Sequence, residues 1–597
     1  MRRVTMIDRA ITFRWVVLMT LAAAASASAQ QPVQETVVVT GAAVPLSLGN
    51  SGRSVTLITR EQIDSLPVTG VADLLRSIGS ADIRARGPFD AQADLSIRGA
   101  SFGGALVLVD GVRLNDLQSG HHNSDIPLPL GAIERVEVLL GAGSSLYGAD
   151  ALGGTINVIP RKDATPHLNV AGGSFDLVDV AGGAGKRTGD VLHAVTGSLS
   201  RSSGFMPERD HDIRAIRYSV ALSRAWSVDV SHVDKEFGAN GFYGPAPSRE
   251  WTDQTLVGVS HRLLQSDAWQ SSARVTYRSH GDRFLYDVTR PALSDNRHRT
   301  HAAVAQFAVN RRVSSRAEVS AGAEGGGDWI ASSNLGDHTI GRGSAFVEWR
   351  QQVGSRLFVH PGVRYDRYSR FGDNWSPSLA VSGWIVPSVK WRTSAGRAFR
   401  IPTFTERYYR DPNHQAVAEL RPERAWLTDA GVDWFPKGQW TVSATVFGRW
   451  EEDVIDWVRA TPAERWQTTN VHDVRTRGAE LSIRRAAASH GEWGLQYTRL
   501  ASRADRLELL SKYVADFARD SLAGWLVARA GRWSLGPRVE FKRRADGRDY
   551  WVLDARVAHR FGPWEVYVDG ANLLDTGYQE VIGVAMPGRW MRVGVKR

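Results

Sequence analysis

From about Ala164 to the C-terminus, the chain repeats segments of roughly ten residues in which apolar and polar positions alternate, with turn residues between them. In 550–561, Trp551, Leu553, Ala555 and Val557 share one face, and Asp554, Arg556 and Arg560 share the other. Trp564, Val566 and Val568 alternate with Glu565, Tyr567 and Asp569, and Met591, Val593 and Val595 alternate with Arg592 and Lys596. A period of two belongs to a β-strand. A strand with one apolar and one charged face divides an oily environment from a wet one, as the wall of a transmembrane barrel must. Backbone groups at membrane depth find no water to bond, so such a sheet has to close on itself. No stretch reaches the eighteen or so consecutive apolar residues of a spanning helix, so any membrane passage is made by strands. A stack of β-sandwich domains would show the same alternation. The 21 tryptophans, many near segment ends, favour a barrel with interfacial girdles.

Of the 597 residues, about 434 follow residue 163. Divided over about 22 strands, the number found in plugged transporters, they give about 20 residues per strand and turn, of which spanning uses about 9–11. The expected fold is therefore a membrane β-barrel of about 22 antiparallel strands over residues 164–597, preceded by a small mixed α/β domain over 51–163. In that domain, Val55 to Ile58, Leu95 to Ile97, Ala105 to Val109, Val136 to Leu140 and Thr155 to Ile159 read as short buried strands. Thr59 reads as a helix cap with Glu61 in the first turn, and Val71 to Ile78 repeats apolar residues at helical spacing.

The first residues carry a targeting pattern. Arg2, Arg3 and Arg14 precede an apolar run from Trp15 to Ala25, and Ala27-Ser28-Ala29 closes it. A positive start, a short apolar centre and an Ala-x-Ala end describe a secretory signal peptide over 1–29. Cysteine is absent, which excludes thiolate metal sites, iron–sulfur clusters and cysteine nucleophiles. The net charge of +10 is spread along the chain and not gathered into a stripe, and an exported protein has little access to nucleic acid, so no nucleic-acid partner is expected. Gly99-Ala-Ser101-Phe-Gly103 fits the pattern of a hydrolase elbow, but it leads into a strand where that elbow needs a helix. With no constellation of nucleophile, base and orienting group, an enzyme is not expected.

Residues 30–50 read as a linker containing one compact patch, Glu35-Thr36-Val37-Val38-Val39-Thr40. This patch resembles the TonB box of TonB-dependent outer-membrane transporters. LSIRGASFGGALVLVDGVRLND (95–116) and IERVEVLLGAGSSLYGADALGGTINVIPR (133–161) are similar to that family's plug domain. GRAFRIPTFTERYY (396–409), ELRPERAW (419–426), RTRGAELSI (475–483), NLLDTGYQ (572–579) and PGRW (587–590) are similar to its barrel, in the family's order. Family members usually end their last strand in an aromatic residue; this chain ends Lys596-Arg597.

The resemblance lies nearest the cobalamin and siderophore importers. It implies a monomer in the outer membrane of a bacterium, in contact with lipid, importing cobalamin or a ferric siderophore with energy from the inner-membrane proton gradient. TonB would be its partner, pairing with residues 35–40 by strand addition, a mode suited to a short β-branched run. A haem importer of the same fold, or a passive porin or adhesin, are the alternatives. No cofactor is required, and calcium in the extracellular loops stays open. His121 and His122 lie where the family's plug loops face the binding cavity, and imidazole pairs coordinate or hydrogen-bond metal-bearing ligands. His414 lies between motifs comparable to those that flank a histidine in haem importers, and Tyr408 and Tyr409 could stack on a flat ligand. These five residues are the candidate ligand contacts.

Overall fold

The computed structural model describes residues 37–38, 40 and 46–597, apart from 164, 437–438, 472, 488–490, 505–508 and 515. Residues 1–29, expected to form a signal peptide, and Glu35, Thr36 and Val39 lie outside the described residues. Among those described, 22 antiparallel strands form one closed barrel. Each strand pairs with the next in the wall, and His167–Gly173 closes the ring against Trp590–Lys596, with Asn169 opposite Lys596 and Gly173 opposite Arg592. Pairing the last strand to the first removes both sheet edges, which hydrocarbon would otherwise leave unbonded.

The alternation read from sequence is the alternation of the wall. Val593 and Val595 are exposed on the outer face, while Arg592 beside them is buried in the lumen. Short turns such as 189–190, 315–316, 387–388, 531–532 and 562–563 close one end, and longer connections such as 401–422 and 572–589 close the other. In outer-membrane barrels these are the periplasmic and extracellular ends respectively. Exposed tryptophans ring both ends: Trp226, Trp269, Trp434, Trp533 and Trp564 by the short turns, and Trp329, Trp375, Trp426, Trp450 and Trp551 by the long loops. An indole with an apolar body and a polar N–H sits best at that boundary.

The N-terminal domain fills the lumen. Its five-stranded sheet has the order Ser54–Ile58, Ile133–Leu140, Gly154–Pro160, Ala105–Val109, Val112–Arg113, with one parallel pairing, between 105–109 and 154–160. A second, two-stranded sheet pairs Ala81–Ala85 with Ala93–Ile97. Thr59 and Gln62 form a reciprocal capping box that starts the helix Arg60–Ser65, and Pro67 biases Leu66 away from helical geometry. The next helix is Val71–Leu75, shorter than its apolar spacing suggests. Ser77 and Ile78 bond back to Leu74 and Leu75, so the final turn is tightened into three-residue spacing before Gly79. The linker's described end is ordered: Val37–Val38 pairs with Leu46–Ser47. Thr40 is fully buried, and both its N–H and its hydroxyl donate to Glu137 Oε2, at 2.9 and 2.7 Å.

The plug meets the barrel chiefly through buried ion pairs. Arg76 reaches Glu540 (3.2 Å) and Glu580 (2.8 Å), and Asp82 meets Lys542 (3.1 Å) and Arg544 (3.3 Å). Arg98 meets Glu480 (2.9 Å), Asp116 meets Arg278 (2.8 Å), and Asp125 meets Lys235 (2.9 Å). Removing one member of a buried pair strands the other charge, at about 3–5 kcal/mol. Glu580→Ala is therefore expected to lower the stability of plug docking by about that amount. Urea-dependent protease cleavage of the plug in the detergent-folded protein reports it; a change under about 1 kcal/mol would mean that Glu540 alone satisfies Arg76.

Candidate functional site

At the loop end, the plug presents two short turns, Phe102–Gly104 and Gly120–His122. Ser119 accepts the His121 N–H and so starts the second turn. Gly120 is required there, because a Cβ would lie 2.7 Å from the Phe102 ring. That close approach places His121 flat on Phe102, with ring centroids 4.5 Å apart and planes 18° apart. Tyr243, from the connection 239–248, and Tyr513, from the connection 505–517, meet the His121 ring edge-on at 6.0 and 6.2 Å. Arg86 lies 5.2 Å over Tyr243 and Arg84 lies 5.9 Å over Phe102. The apex is thus a patch of ring faces edged by guanidinium groups.

Electrostatics hold it in one arrangement. His121 Nδ1 is 2.6 Å from Asp94 Oδ1, and Arg86 pairs with the other oxygen at 3.1 Å. Burial alone would raise the Asp94 carboxyl; Arg86 and His121 outweigh burial and hold it below its ordinary range. Burial pushes the His121 imidazole below its ordinary value, against the pull of Asp94. At neutral pH the ring is therefore uncharged and donates Nδ1–H to the carboxylate.

The adjacent histidines separate. His122 turns down into the seam between plug and barrel wall, where it is only 6% exposed. Its Nδ1 lies 3.5 Å from Asp125 Oδ2 and its Nε2 3.3 Å from Asp282 Oδ2. Burial works against the imidazolium, but Asp282 and Asp125 on either side win and raise its pKa well above the ordinary value.

His414 belongs to a sheet of loop strands that covers the apex: His414–Gln415, Trp466–Val471, Val454–Arg459 and Leu510–Ser511. Its Nδ1 is 3.0 Å from Asp411 and its Nε2 3.2 Å from Lys512 Nζ, so both ring nitrogens are engaged. Lys512 in turn lies 5.4 Å from the Tyr513 ring, which links His414 to the apical patch. Tyr409 donates to Asp411 at 3.1 Å. Tyr408 stands apart, stacked on His338 at 3.8 Å. The structure therefore brings His121 to the apical patch and His414 beside it, and leaves His122 in the seam between plug and wall and Tyr408 in the 401–422 connection, away from the patch. Phe102, Arg84, Arg86, Asp94 and Tyr513 complete the patch without having stood out in the sequence. The alternation Asp82-Ile83-Arg84-Ala85-Arg86 is the one local signal that placed both arginines on a common face.

Comparison with known proteins fits this architecture. The family model "TonB dependent receptor-like, beta-barrel" matches residues 193–573, and "TonB-dependent Receptor Plug Domain" matches 47–155. The chain is 25% identical over 455 residues to the vitamin B12 transporter BtuB of Vibrio vulnificus, covering 72% of each chain. It is 22% identical over 481 residues to the vitamin B12 transporter BtuB of Photobacterium profundum, covering 76% of this chain and 77% of the other. Among solved structures, a mutant of the ferric enterobactin receptor PfeA of Pseudomonas aeruginosa superposes with a TM-score of 0.75 at 16% identity, covering 91% of this chain and 98% of that one. The siderophore receptor PirA of Acinetobacter baumannii gives 0.74 at 15%, with the same coverage. At these identities the structural matches establish the fold.

One carboxyl ties the loop sheet to the segment that carries Tyr513. Asp456, buried in strand Val454–Arg459, accepts from Ser511 Oγ (2.5 Å) and from the N–H groups of Tyr513 (3.1 Å) and Val514 (3.2 Å). Burial pushes its pKa up to about 6, although every one of these hydrogen bonds favours the charged form. A carboxyl raised above its unfolded value contributes stability that is complete below that value and fades as pH rises through the folded pKa. Proteolysis of the 505–517 connection is therefore expected to accelerate as pH rises through about 6. Asp456→Asn, which cannot ionise, should flatten that profile; a profile identical to that of the wild type would remove Asp456 from this role.

Proposed function

The chain belongs to the TonB-dependent receptor family, and from that membership we propose that it imports cobalamin or a ferric siderophore across the outer membrane under TonB control. The apical patch carries the reading: Phe102, His121, Tyr243 and Tyr513 offer ring faces to a flat or aromatic chelate, and Arg84 and Arg86 offer charge to an anionic one. The vitamin B12 transporters among its sequence relatives make cobalamin the first ligand to try. A passive porin is disfavoured by the plug, which occupies the lumen and is tied to the wall by ion pairs.

Uptake requires a route past the plug. A cavity of about 910 Å³ runs beside it, from Arg60, Leu130 and Lys596 at the short-turn end up to Phe89 and Ser124 below the apex. Movement of the plug there would join the apex to the periplasm. The trigger in this reading is the segment at residues 35–40. TonB takes it up as an added strand, in competition with the Val37–Val38 pairing to Leu46–Ser47.

Two measurements test the proposal. Equilibrium titration of the purified, detergent-folded protein should show saturable binding of cyanocobalamin, with haem as the control ligand. Phe102→Ala should weaken that binding about two- to tenfold, the worth of one aromatic stack. Failure to bind cobalamin, with binding of a ferric siderophore instead, would move the assignment within the family. In cells, deleting residues 35–40 should abolish uptake and leave surface binding intact; uptake that persists counts against coupling through this segment.

A further inference from the structure

Below the apex, the seam between plug and barrel holds four carboxylates and two histidines in contact. Two of the carboxylates are answered by permanent cations: Asp116 by Arg278 at 2.8 Å and Asp125 by Lys235 at 2.9 Å. The other two, Glu250 and Asp282, face the lumen from neighbouring strands Arg249–Gln265 and Trp269–Leu285, with Asp282 opposite Thr252. Among the described residues, neither meets a lysine or arginine at ion-pair distance. Glu250 is 2% and Asp282 7% exposed. Glu250 Oε2 and Asp282 Oδ1 have no hydrogen-bond partner among the described residues. A buried carboxylate oxygen without a partner is unfavourable. Among the described residues, the one positive group beside the pair is the titratable His122, 3.3 Å from Asp282, and a divalent cation bound there would take over that role and leave the imidazole neutral and coordinating.

The third member of the group is His122. One atom each of His122, Glu250 and Asp282 lies within 4.8 Å of the others. We propose that His122, Glu250 and Asp282 bind one divalent transition-metal ion of the zinc class, which staples the plug to the barrel wall. Imidazole nitrogen with two carboxylate oxygens is a donor set for zinc and its first-row neighbours; calcium asks for six to eight oxygens. Three protein ligands leave a fourth position for water.

The surroundings orient each ligand. Asp125 Oδ2 sits 3.5 Å from His122 Nδ1, which leaves Nε2 directed at Asp282; a carboxylate behind a ligating histidine fixes its tautomer. Asp125 is itself held by Lys235 and by His280 Nε2 at 3.1 Å. Gln118 donates to Asp282 Oδ2 at 2.6 Å, and Gln92 donates to Glu250 Oε1 at 3.4 Å, so in each carboxyl the partnered oxygen is the one opposite the free one. The large cavity reaches Ser124 and Lys235, bringing solvent to the cation that pairs with Asp125. The site lies below the apical patch and is joined to it by Gln92, which donates to Glu250 and accepts from the Tyr243 hydroxyl at 3.0 Å.

The test uses the full chain in detergent, stripped with a chelator and titrated with cobalt(II), whose visible absorption reports nitrogen and oxygen coordination. One ion per chain is expected to bind, and zinc is expected to displace it. His122→Ala and Glu250→Gln should each weaken binding more than tenfold, because even the loss of a supporting residue costs about 10- to 100-fold. His261→Ala, whose ring stacks on Trp226, should change nothing. Glu250→Gln is nearly isosteric, so it decides the matter if His122→Ala fails to fold. No stoichiometric binding by the wild-type protein would overturn the proposal. Binding undiminished in both variants would overturn it as well.

Discussion

The protein depends on a barrel whose inner wall is charged. A closed sheet of 22 strands is too wide for its own side chains to fill, so the lumen must be either water or a second domain. Here the wall presents Arg278, Glu480, Glu540 and Lys542, and the plug answers with Asp116, Arg98, Arg76 and Asp82. Such pairs confer specificity more than net stability, because desolvation offsets most of the attraction. An apolar seam of the same area would hold more tightly and would have no second state. A charged seam fixes one register of plug against wall, yet each of its groups can be taken over by water if the plug shifts. That suits a domain that has to seal a pore and also leave it open at intervals.

The apolar side is divided accordingly. The plug's core, with Leu74, Leu75, Ile83, Leu95, Val107, Val136 and Val158 almost wholly buried, lies mostly within the plug itself. It takes only a few partners from the wall, among them Leu256, Trp525 and Val527. The plug therefore carries its own core and meets the barrel largely through polar groups. Outside, the division is reversed: valine, leucine and tryptophan face outward, and the charged residues that alternate with them point in.

The sequence disclosed whatever is periodic. The outward face of Met591, Val593 and Val595 could be read directly, because a strand's two faces are encoded two residues apart. The helix cap at Thr59 and the central plug strands were legible for the same reason, being local, although the reciprocal bond from Gln62 appears only in the structure. The seam was not. Arg76 and Glu580 lie 504 positions apart, and no local pattern couples them. The adjacent histidines drew notice as a pair, but sequence could not show that one would stack on Phe102 and the other turn into the seam between plug and wall. A one-residue step around a tight turn points neighbouring side chains in different directions, and part of what each meets comes from distant strands and loops, Asp282 for His122 and Tyr243 and Tyr513 for His121. Glu250 and Asp282 looked like any lumen-facing residues; what sets them apart is the absence of an arginine or lysine beside them among the described residues, a property of the assembled wall.

The same logic applies to how a pull at the N-terminal segment would spread. Thr40 is fastened to Glu137, which lies in the strand Ile133–Leu140, the second of the five in the plug sheet. That strand pairs on one side with Ser54–Ile58 and on the other with Gly154–Pro160, which in turn pairs with Ala105–Val109. The strand Ala105–Val109 begins directly after the Phe102–Gly104 turn that supports His121. Force entering at Thr40 is thus delivered to the sheet interior, two strands from the apex, and not to a loose end. The bond at Glu137 is between a carboxylate and two donors of one residue, strong enough to transmit load and local enough to break before the sheet does. Whether the plug moves as a body or opens along a strand then turns on which yields first, the ion pairs of the seam or the ladder between 133–140 and its neighbours. The ladder is a continuous run of backbone bonds in a dry interior, while the seam consists of discrete pairs, one of which, at Lys235, borders the cavity. Physical reasoning therefore favours slip at the seam on the cavity side, with the plug sheet intact.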